Sequence, residues 1–92
     1  MDEEESPLHK KDFPVSDTVQ ETAESFRDFA RSQGHPLEFA IVPGLTYCGD
    51  EYAVRQLVSI LLDNAVKFCE PHGTLKIWVY CADGKVHVNI SN

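Results

Sequence analysis

An amide and an ammonium side chain lie three residues apart in the segment LLDNAVKF, whose apolar spacing predicts a helix. Asn64 and Lys67 stand at i and i+3, so they share a helix face, and Ile60 lies one turn before Asn64 on that side. An amide oxygen can ligate Mg²⁺ that bridges phosphates, and an ammonium can neutralise phosphate charge. The pair would therefore suit a nucleotide. Spacing alone favours a plainer interpretation, a polar strip on the solvated face of an ordinary helix.

The helix that carries this pair has recognisable ends. Gly49, Asp50 and Glu51 are predicted to open it, because acidic residues are favourable near the positive end of the helix dipole. Pro71 and Gly73 are predicted to terminate it. The apolar stripe of the helix is expected to consist of Val54, Leu57, Val58, Leu61, Ala65 and Phe68. This stripe points away from the polar pair.

A second amphipathic helix is predicted upstream. Ser16 or Asp17 is the expected N-cap, with Gln20 in the capping-box position after Asp17, and Gly34 is the expected stop. Before this helix, residues 10–15 (KKDFPV) are predicted to form a short edge strand. The apolar face of the helix is formed by Val19, Ala23, Phe26 and Ala30.

Three longer strands are predicted from alternating apolar residues. One runs from Leu37 to Val42, and two others flank a two-residue turn at Asp83 and Gly84. With that turn, the expected cross-strand pairs are Cys81 with Val86, Val79 with Val88 and Ile77 with Ile90. The opposite face carries Trp78 and Tyr80, so we expect a partner chain or further sequence to cover it.

These elements and the composition predict a single domain with one layer of helices and one of strands. The chain has 92 residues, of which 42% are hydrophobic, which is typical of a globular protein. The fold class is an α/β (α+β) two-layer sandwich, with two helices packed on one face of a mixed sheet. The net charge of −7 and scattered basic residues argue against nucleic-acid binding.

The remaining reactive side chains show no pattern of a metal site. Three cysteines and four histidines have no ligand-like spacing, so zinc is not expected. The cysteines are interpreted as reduced, partly buried thiols, and the histidines, His35 among them, as surface residues. The sequence has no apolar run long enough to span a membrane and no secretory signal, so a cytoplasmic protein is expected.

The run GDEYAVRQLVSILLDNAVKF resembles the N-box helix of the ATP-binding domain of histidine kinases, a superfamily shared with gyrase and MutL. The resemblance extends over the flanking segments. DFPVSDTVQETAESF is similar to the first strand and helix of that domain, PLEFAIVPGLTYCGDE to its second strand and loop, and GTLKIWVYCADGKVHVNISN to its hairpin. The resemblance implies a fold with helices on one side of a mixed sheet, in which ATP binds between the helix layer and a flexible lid.

The resemblance also implies roles for individual residues. Asn64 would ligate Mg²⁺ and Lys67 would contact the phosphates of ATP. Asn92 aligns with the acidic residue that recognises adenine at the start of a Gly-rich box. Ile60 departs from the family, which has Asn or a catalytic Glu there, so hydrolysis by the gyrase route is not expected. Residues 10–92 would form a partial ATP-binding domain, without Gly-rich boxes or lid, after a disordered acidic tail at residues 1–9.

The function implied is that of a two-component sensor histidine kinase. The intact protein would transfer the γ-phosphoryl group of Mg·ATP to a histidine on a dimerisation domain, and a response regulator would receive it next. The isolated chain is expected to be inactive. Two alternatives remain: a non-catalytic module that forms a homodimer through its exposed sheet, and an anti-sigma-factor type serine kinase of the same superfamily.

Overall fold

The computed structural model of the chain describes residues 10–91, so the predicted acidic tail and Asn92 lie outside the described residues. The elements of this described region are β1 (Lys11–Phe13), α1 (Val15–Ser32), β2 (Leu37–Ile41), β3 (Tyr47–Gly49), α2 (Glu51–Lys67), β4 (Leu75–Ala82) and β5 (Lys85–Ser91). β1 pairs with β3 in an antiparallel ribbon, and the main sheet has the order β2-β4-β5. β3 was not predicted, because three residues are too few to show alternation.

The main sheet is mixed, and its hairpin has the predicted register. β2 runs parallel to β4, and β5 is antiparallel to β4, with Val79 facing Val88 and Ile77 facing Ile90. The turn residues Asp83 and Gly84 have φ values of 54° and 73°. Two consecutive positive φ angles are the geometry of a type I′ turn, whose twist matches that of the strands it joins.

Both helices pack on one face of this sheet, which confirms the two-layer architecture. The buried residues at the centre come in pairs from α1, α2 and β4: Val19 and Ala23, Val58 and Leu62, and Ile77 and Val79. Burying these side chains supplies the main driving force for folding. Phe39 and Ile41 of β2 and Val88 and Ile90 of β5 extend the core to both edges of the sheet.

The apolar stripe predicted for α2 was partly wrong. Leu62 and Val66 are buried, although neither was assigned to the stripe, whereas Leu57 and Phe68 are exposed. The helix has apolar residues on two sides, so the spacing of its apolar residues does not determine which side is buried. Packing against α1 and the sheet selects the side that carries Val58 and Leu62.

The N-cap predicted for α1 was also wrong. The helix begins at Val15 after Pro14, and no side chain caps it. Ser16 instead lies inside the fold, where its hydroxyl donates to the carbonyl of Val42 at 2.6 Å and accepts from the amide of Leu45 at 3.0 Å. The serine therefore joins the start of α1 to the loop after β2.

The start of α2 is as predicted. One carboxylate oxygen of Asp50 accepts hydrogen bonds from the amides of Tyr52 at 3.0 Å and Ala53 at 3.3 Å. Two of the amides that a helix start leaves without partners are thereby satisfied. Glu51 adds a negative charge to the first turn. The helix that carries Asn64 therefore has a well-defined first turn.

Two predictions about reactive side chains need correction. His35 is buried, and its Nδ1 lies 3.0 Å from the carbonyl oxygen of Gly73, so it joins the loop before β2 to the loop before β4. A lone histidine between Gly34 and Pro36 gave no indication of this contact. Cys48 and Cys81 are exposed and Cys69 is half-buried, so only the third matches the prediction.

Candidate functional site

Asn64 lies in the C-terminal half of α2, where the helix borders an open groove beside β5. The groove, of about 390 Å³, is lined by Leu61, Asn64, Ala65, Phe68, Val88, Asn89 and Ile90. Burial of Leu62 and Val66 fixes the rotation of the helix, and this rotation places Asn64 at the groove. The position of Asn64 thus depends on a core stripe that the sequence pattern identified only in part.

The amide of Asn64 is available for a ligand. Its side chain is exposed and forms no hydrogen bond with another residue of the 10–91 region. The other amide at the groove, that of Asn89, donates to the hydroxyl of Tyr80 at 3.1 Å. Asn64 therefore supplies the side-chain amide of this groove that forms no hydrogen bond among the described residues, and an amide oxygen can ligate a hard cation.

Lys67 lies one turn further along α2 but does not line the groove. Its ammonium forms an ion pair with Asp63, with Nζ 3.0 Å from Oδ2. Both side chains are well exposed, and such i, i+4 pairs contribute only about 0.3–0.5 kcal/mol in helices. A phosphate could therefore replace Asp63 as the partner of this ammonium at small cost. Among the described residues, the side chains of Lys67 and Asn64 are not joined by a hydrogen bond.

Ile60 is 59% exposed, and no carboxylate of residues 10–91 lines the groove. A branched alkyl group cannot accept a proton, so the groove lacks a general base to activate water. The arrangement can hold a cation or an anion through polar contacts, and it has no group that would promote hydrolysis. Asn92, the third predicted site residue, lies outside the described residues, and its role stays a prediction.

A polar network that the sequence analysis did not identify joins α1 to the first turns of α2. Arg55 binds Glu21 of α1 at 2.9 Å and Glu51 at 3.3 Å, and the hydroxyl of Thr18 donates to Glu51 at 2.8 Å. The hydrogen bond from Thr18, helped by Arg55, lowers the pKa of Glu51 despite the opposing effect of desolvation. The network therefore links the two helices that carry the core stripes.

Two further properties of the described residues concern metal ions and membranes. Within residues 10–91, no group of three or more His, Cys, Asp or Glu side chains is placed to hold a metal ion. Neither α1 nor α2, the helices of the described region, is long and apolar enough to cross a membrane.

Solved structures with the same architecture include those of histidine kinases. The chain superimposes on the nucleotide-free catalytic domain of the histidine kinase ThkA with a TM-score of 0.81 and 20% identity, covering 89% of this chain and 57% of that domain. The mycobacterial sensor histidine kinase MprB gives a TM-score of 0.68 and 23% identity. This match covers 82% of the present chain and 48% of the MprB chain. For ThkA in complex with the response regulator TrrA, the TM-score is 0.81 and the sequence identity is 21%. This match covers 90% of the present chain and 25% of the ThkA chain.

No family profile matches the sequence, and no curated protein sequence is significantly similar to it. The likeness at about a fifth identity establishes the fold, which is that of the histidine kinase catalytic domain. The chain spans little more than half of the ThkA domain.

Proposed function

We propose that the chain forms the N-box wall of the Mg·ATP site in the catalytic domain of a sensor histidine kinase. The observation that carries this proposal is the uncommitted amide of Asn64, at a groove between α2 and β5 in a fold shared with such domains. The DNAVKF sequence, which resembles the family's N-box, supports the same assignment.

Each proposed site residue has a separate role. Asn64 supplies one oxygen ligand to Mg²⁺, which generally takes its remaining ligands from phosphate oxygens and water. Lys67 contacts phosphate once it leaves Asp63, and Asn92 contacts adenine. Bound Mg²⁺ neutralises phosphate charge, and the chain's own residues position the nucleotide. Because phosphoryl transfer rests on positioning and electrostatics, the proposed activity requires no base at Ile60.

The wider role that we propose is cytoplasmic two-component signalling. The intact kinase would transfer the γ-phosphoryl group to a histidine of a dimerisation domain, and a response regulator would then accept it. The neighbour ThkA, whose structure was solved with the response regulator TrrA, supports this choice of partner. The proposal thus makes the parent protein a phosphoprotein and a transferase.

The chain by itself is expected to bind ATP weakly, because two amides and one ammonium provide few contacts to a highly charged ligand. We propose a titration of the ¹⁵N-labelled protein with Mg·ATP, followed by amide chemical shifts. Binding with a Kd of about 1 mM or weaker should move the signals of residues 61–68 and 88–90, only in the presence of Mg²⁺.

The Asn64→Ala variant should lose these Mg²⁺-dependent shifts, whereas Gln56→Ala should retain them. Gln56 is a matched control, because it is an exposed amide on the same helix, away from the groove. Shifts that persist in Asn64→Ala, or that lie elsewhere, would exclude the site. Calorimetry that gave micromolar, Mg²⁺-dependent affinity would refute the expectation of weak binding while leaving the site assignment intact.

A second candidate function, a homodimerising module, is favoured by the free edge of β5. Within residues 10–91, β5 is an edge strand of the main sheet, and the neighbouring side of α2 exposes Leu57, Leu61 and Phe68. An open strand edge beside exposed apolar side chains favours pairing with another chain.

A further inference from the structure

A second groove lies at the opposite edge of the main sheet, between α1 and the free edge of β2. It has a volume of about 350 Å³ and is separate from the groove beside Asn64. Its lining residues are Gln20, Arg27, Arg31, Pro36, Leu37 and Phe39.

Two guanidinium groups give this groove a positive charge in an acidic protein. The guanidinium of Arg27 lies over the ring of Phe39, 4.9 Å from its centroid, and Arg31 is exposed one turn later. Neither arginine forms an ion pair within residues 10–91. The carboxylate of Glu24, on the same side of α1, instead accepts a hydrogen bond from Gln20. Both guanidinium groups therefore retain their capacity to bind an anion.

The groove also presents backbone groups of β2 that pair with no other strand of residues 10–91. The carbonyl of Pro36 and the amide of Val42 hydrogen-bond to β4. In a strand, the backbone groups of alternate residues point to opposite sides, so residues 37, 39 and 41 direct theirs away from β4. Two of these three, Leu37 and Phe39, line the groove. The groove thus has two walls: a strand edge that can pair with another strand, and a helix surface that carries positive charge.

We propose that this groove binds an extended acidic peptide segment of a partner protein, which adds a strand to the edge of β2. The spacing of charges fits such a ligand. Arg27 and Arg31 lie about one helical turn, or about 6 Å, apart along α1. Alternate side chains of a strand are separated by about 6.7 Å. Carboxylates at alternate positions of the peptide can therefore meet both guanidinium groups, while its backbone pairs with β2.

The test uses a fluorescein-labelled synthetic peptide of alternating glutamate and valine, eight residues long, with fluorescence anisotropy as the readout. The peptide should bind saturably, and added salt should weaken the binding. The same peptide with lysine in place of glutamate should not bind. N-methylation of alternate peptide amides should weaken binding, because it removes donors that pair with the strand edge.

Charge reversal in the groove provides the matched comparison. Arg31→Glu should weaken binding about fivefold or more, because it removes one exposed ion pair and adds repulsion. Lys85→Glu changes the net charge by the same amount at the far end of the sheet, and it should leave the affinity unchanged. Amide shifts on binding should include those of Leu37 and Phe39.

The proposal is overturned if the two variants weaken binding equally, because the attraction would then be general rather than local. It is also overturned if the lysine peptide binds as well as the glutamate peptide, or if N-methylation has no effect. Binding to vesicles with anionic headgroups, in the absence of any binding to the acidic peptide, would identify a membrane as the ligand of these arginines and would likewise refute it.

Discussion

The hydroxyl of Thr18, in α1, donates a hydrogen bond of 2.8 Å to the carboxylate of Glu51, in the first turn of α2. Thr18 is fully buried, whereas Glu51 is half-buried and also contacts Arg55. The two helices that pack on the sheet are thus joined by a polar contact as well as by their apolar stripes. Because the hydroxyl donates, the carboxylate is the acceptor, and this hydrogen bond favours its ionised form.

The first prediction concerns the pH dependence of stability. The hydrogen bond from Thr18, and secondarily Arg55, holds the pKa of Glu51 below its ordinary value of 4.5. A lowered folded-state pKa stabilises the folded protein fully above the unfolded-state pKa, and that contribution is lost as pH falls through the folded-state pKa. Glu51→Gln should therefore be less stable than the parent at pH 7, and the difference should shrink below pH 4.5. Urea unfolding at a series of pH values measures this difference.

Thr18→Val tests the cause of that pH dependence. It removes the donor with little change in volume, so it should abolish most of the same pH-dependent contribution. In the double variant with Glu51→Gln, the two effects should not add, because both remove one interaction. A difference between Glu51→Gln and the parent that stays constant from pH 7 to acid would contradict the assignment.

The second prediction concerns the cap of α2. Asp50→Ala removes the acceptor for the amides of Tyr52 and Ala53, so it should lower the free energy of unfolding by about 1 kcal/mol. Asp50→Asn should retain most of the stability, because an amide oxygen is an equally good cap. Chemical denaturation of both variants measures the contrast. Equal losses for alanine and asparagine would show that the charge near the helix dipole, rather than the hydrogen bonds, is responsible.

The third prediction compares two adjacent leucines of α2. Leu62 has no exposed surface and lies in the core, whereas Leu61 is 36% exposed at the groove. Leu62→Ala should cost about 3 kcal/mol or more, because it leaves a cavity in close-packed surroundings. Leu61→Ala should cost about 1 kcal/mol or less. If urea titrations gave the reverse order, the rotation of α2, and with it the position of Asn64, would be wrong.

Sequence reasoning was most successful where a local pattern and a turn acted together. The Asp83-Gly84 turn and the alternation on each side of it determined every pair of the β4–β5 hairpin. Sequence reasoning was least successful where contacts with distant segments determine which of two locally possible structures forms. α2 offers two apolar sides, and contact with α1 chooses between them. Ser16 could cap its own helix, but a loop almost thirty residues away supplies better partners, at Val42 and Leu45.

The candidate site also has one part that local sequence predicted and another part that depends on distant segments. The N-box resemblance identified Asn64. The groove that Asn64 lines is formed together with β5, which lies more than twenty residues later in the chain. Local spacing indicated that Asn64 and Lys67 share a face, yet Lys67 pairs with Asp63, one turn before it. The Thr18–Glu51 contact joins residues 33 positions apart, so no local pattern could reveal it.

The fourth prediction concerns self-association through β5. In a two-residue hairpin, the residues that flank the turn exchange hydrogen bonds, so Val86, Val88 and Ile90 direct their backbone groups away from β4. A second copy can therefore pair with this edge about a two-fold axis at Val88. That pairing places His87 opposite Asn89 of the other copy. Light scattering after size-exclusion chromatography should show a dimer whose population increases with protein concentration.

The facing positions supply a charge test with an internal control. The double variant His87→Glu with Asn89→Glu places like charges opposite each other across the two-fold axis, so it should be monomeric. His87→Glu with Asn89→Lys places opposite charges there and should remain dimeric. Both variants lose the stacking of His87 on Tyr80 and the hydrogen bond from Asn89 to Tyr80, so damage to the hairpin affects them equally. A parent chain that is monomeric at all concentrations, or two variants that behave alike, would rule out pairing through β5.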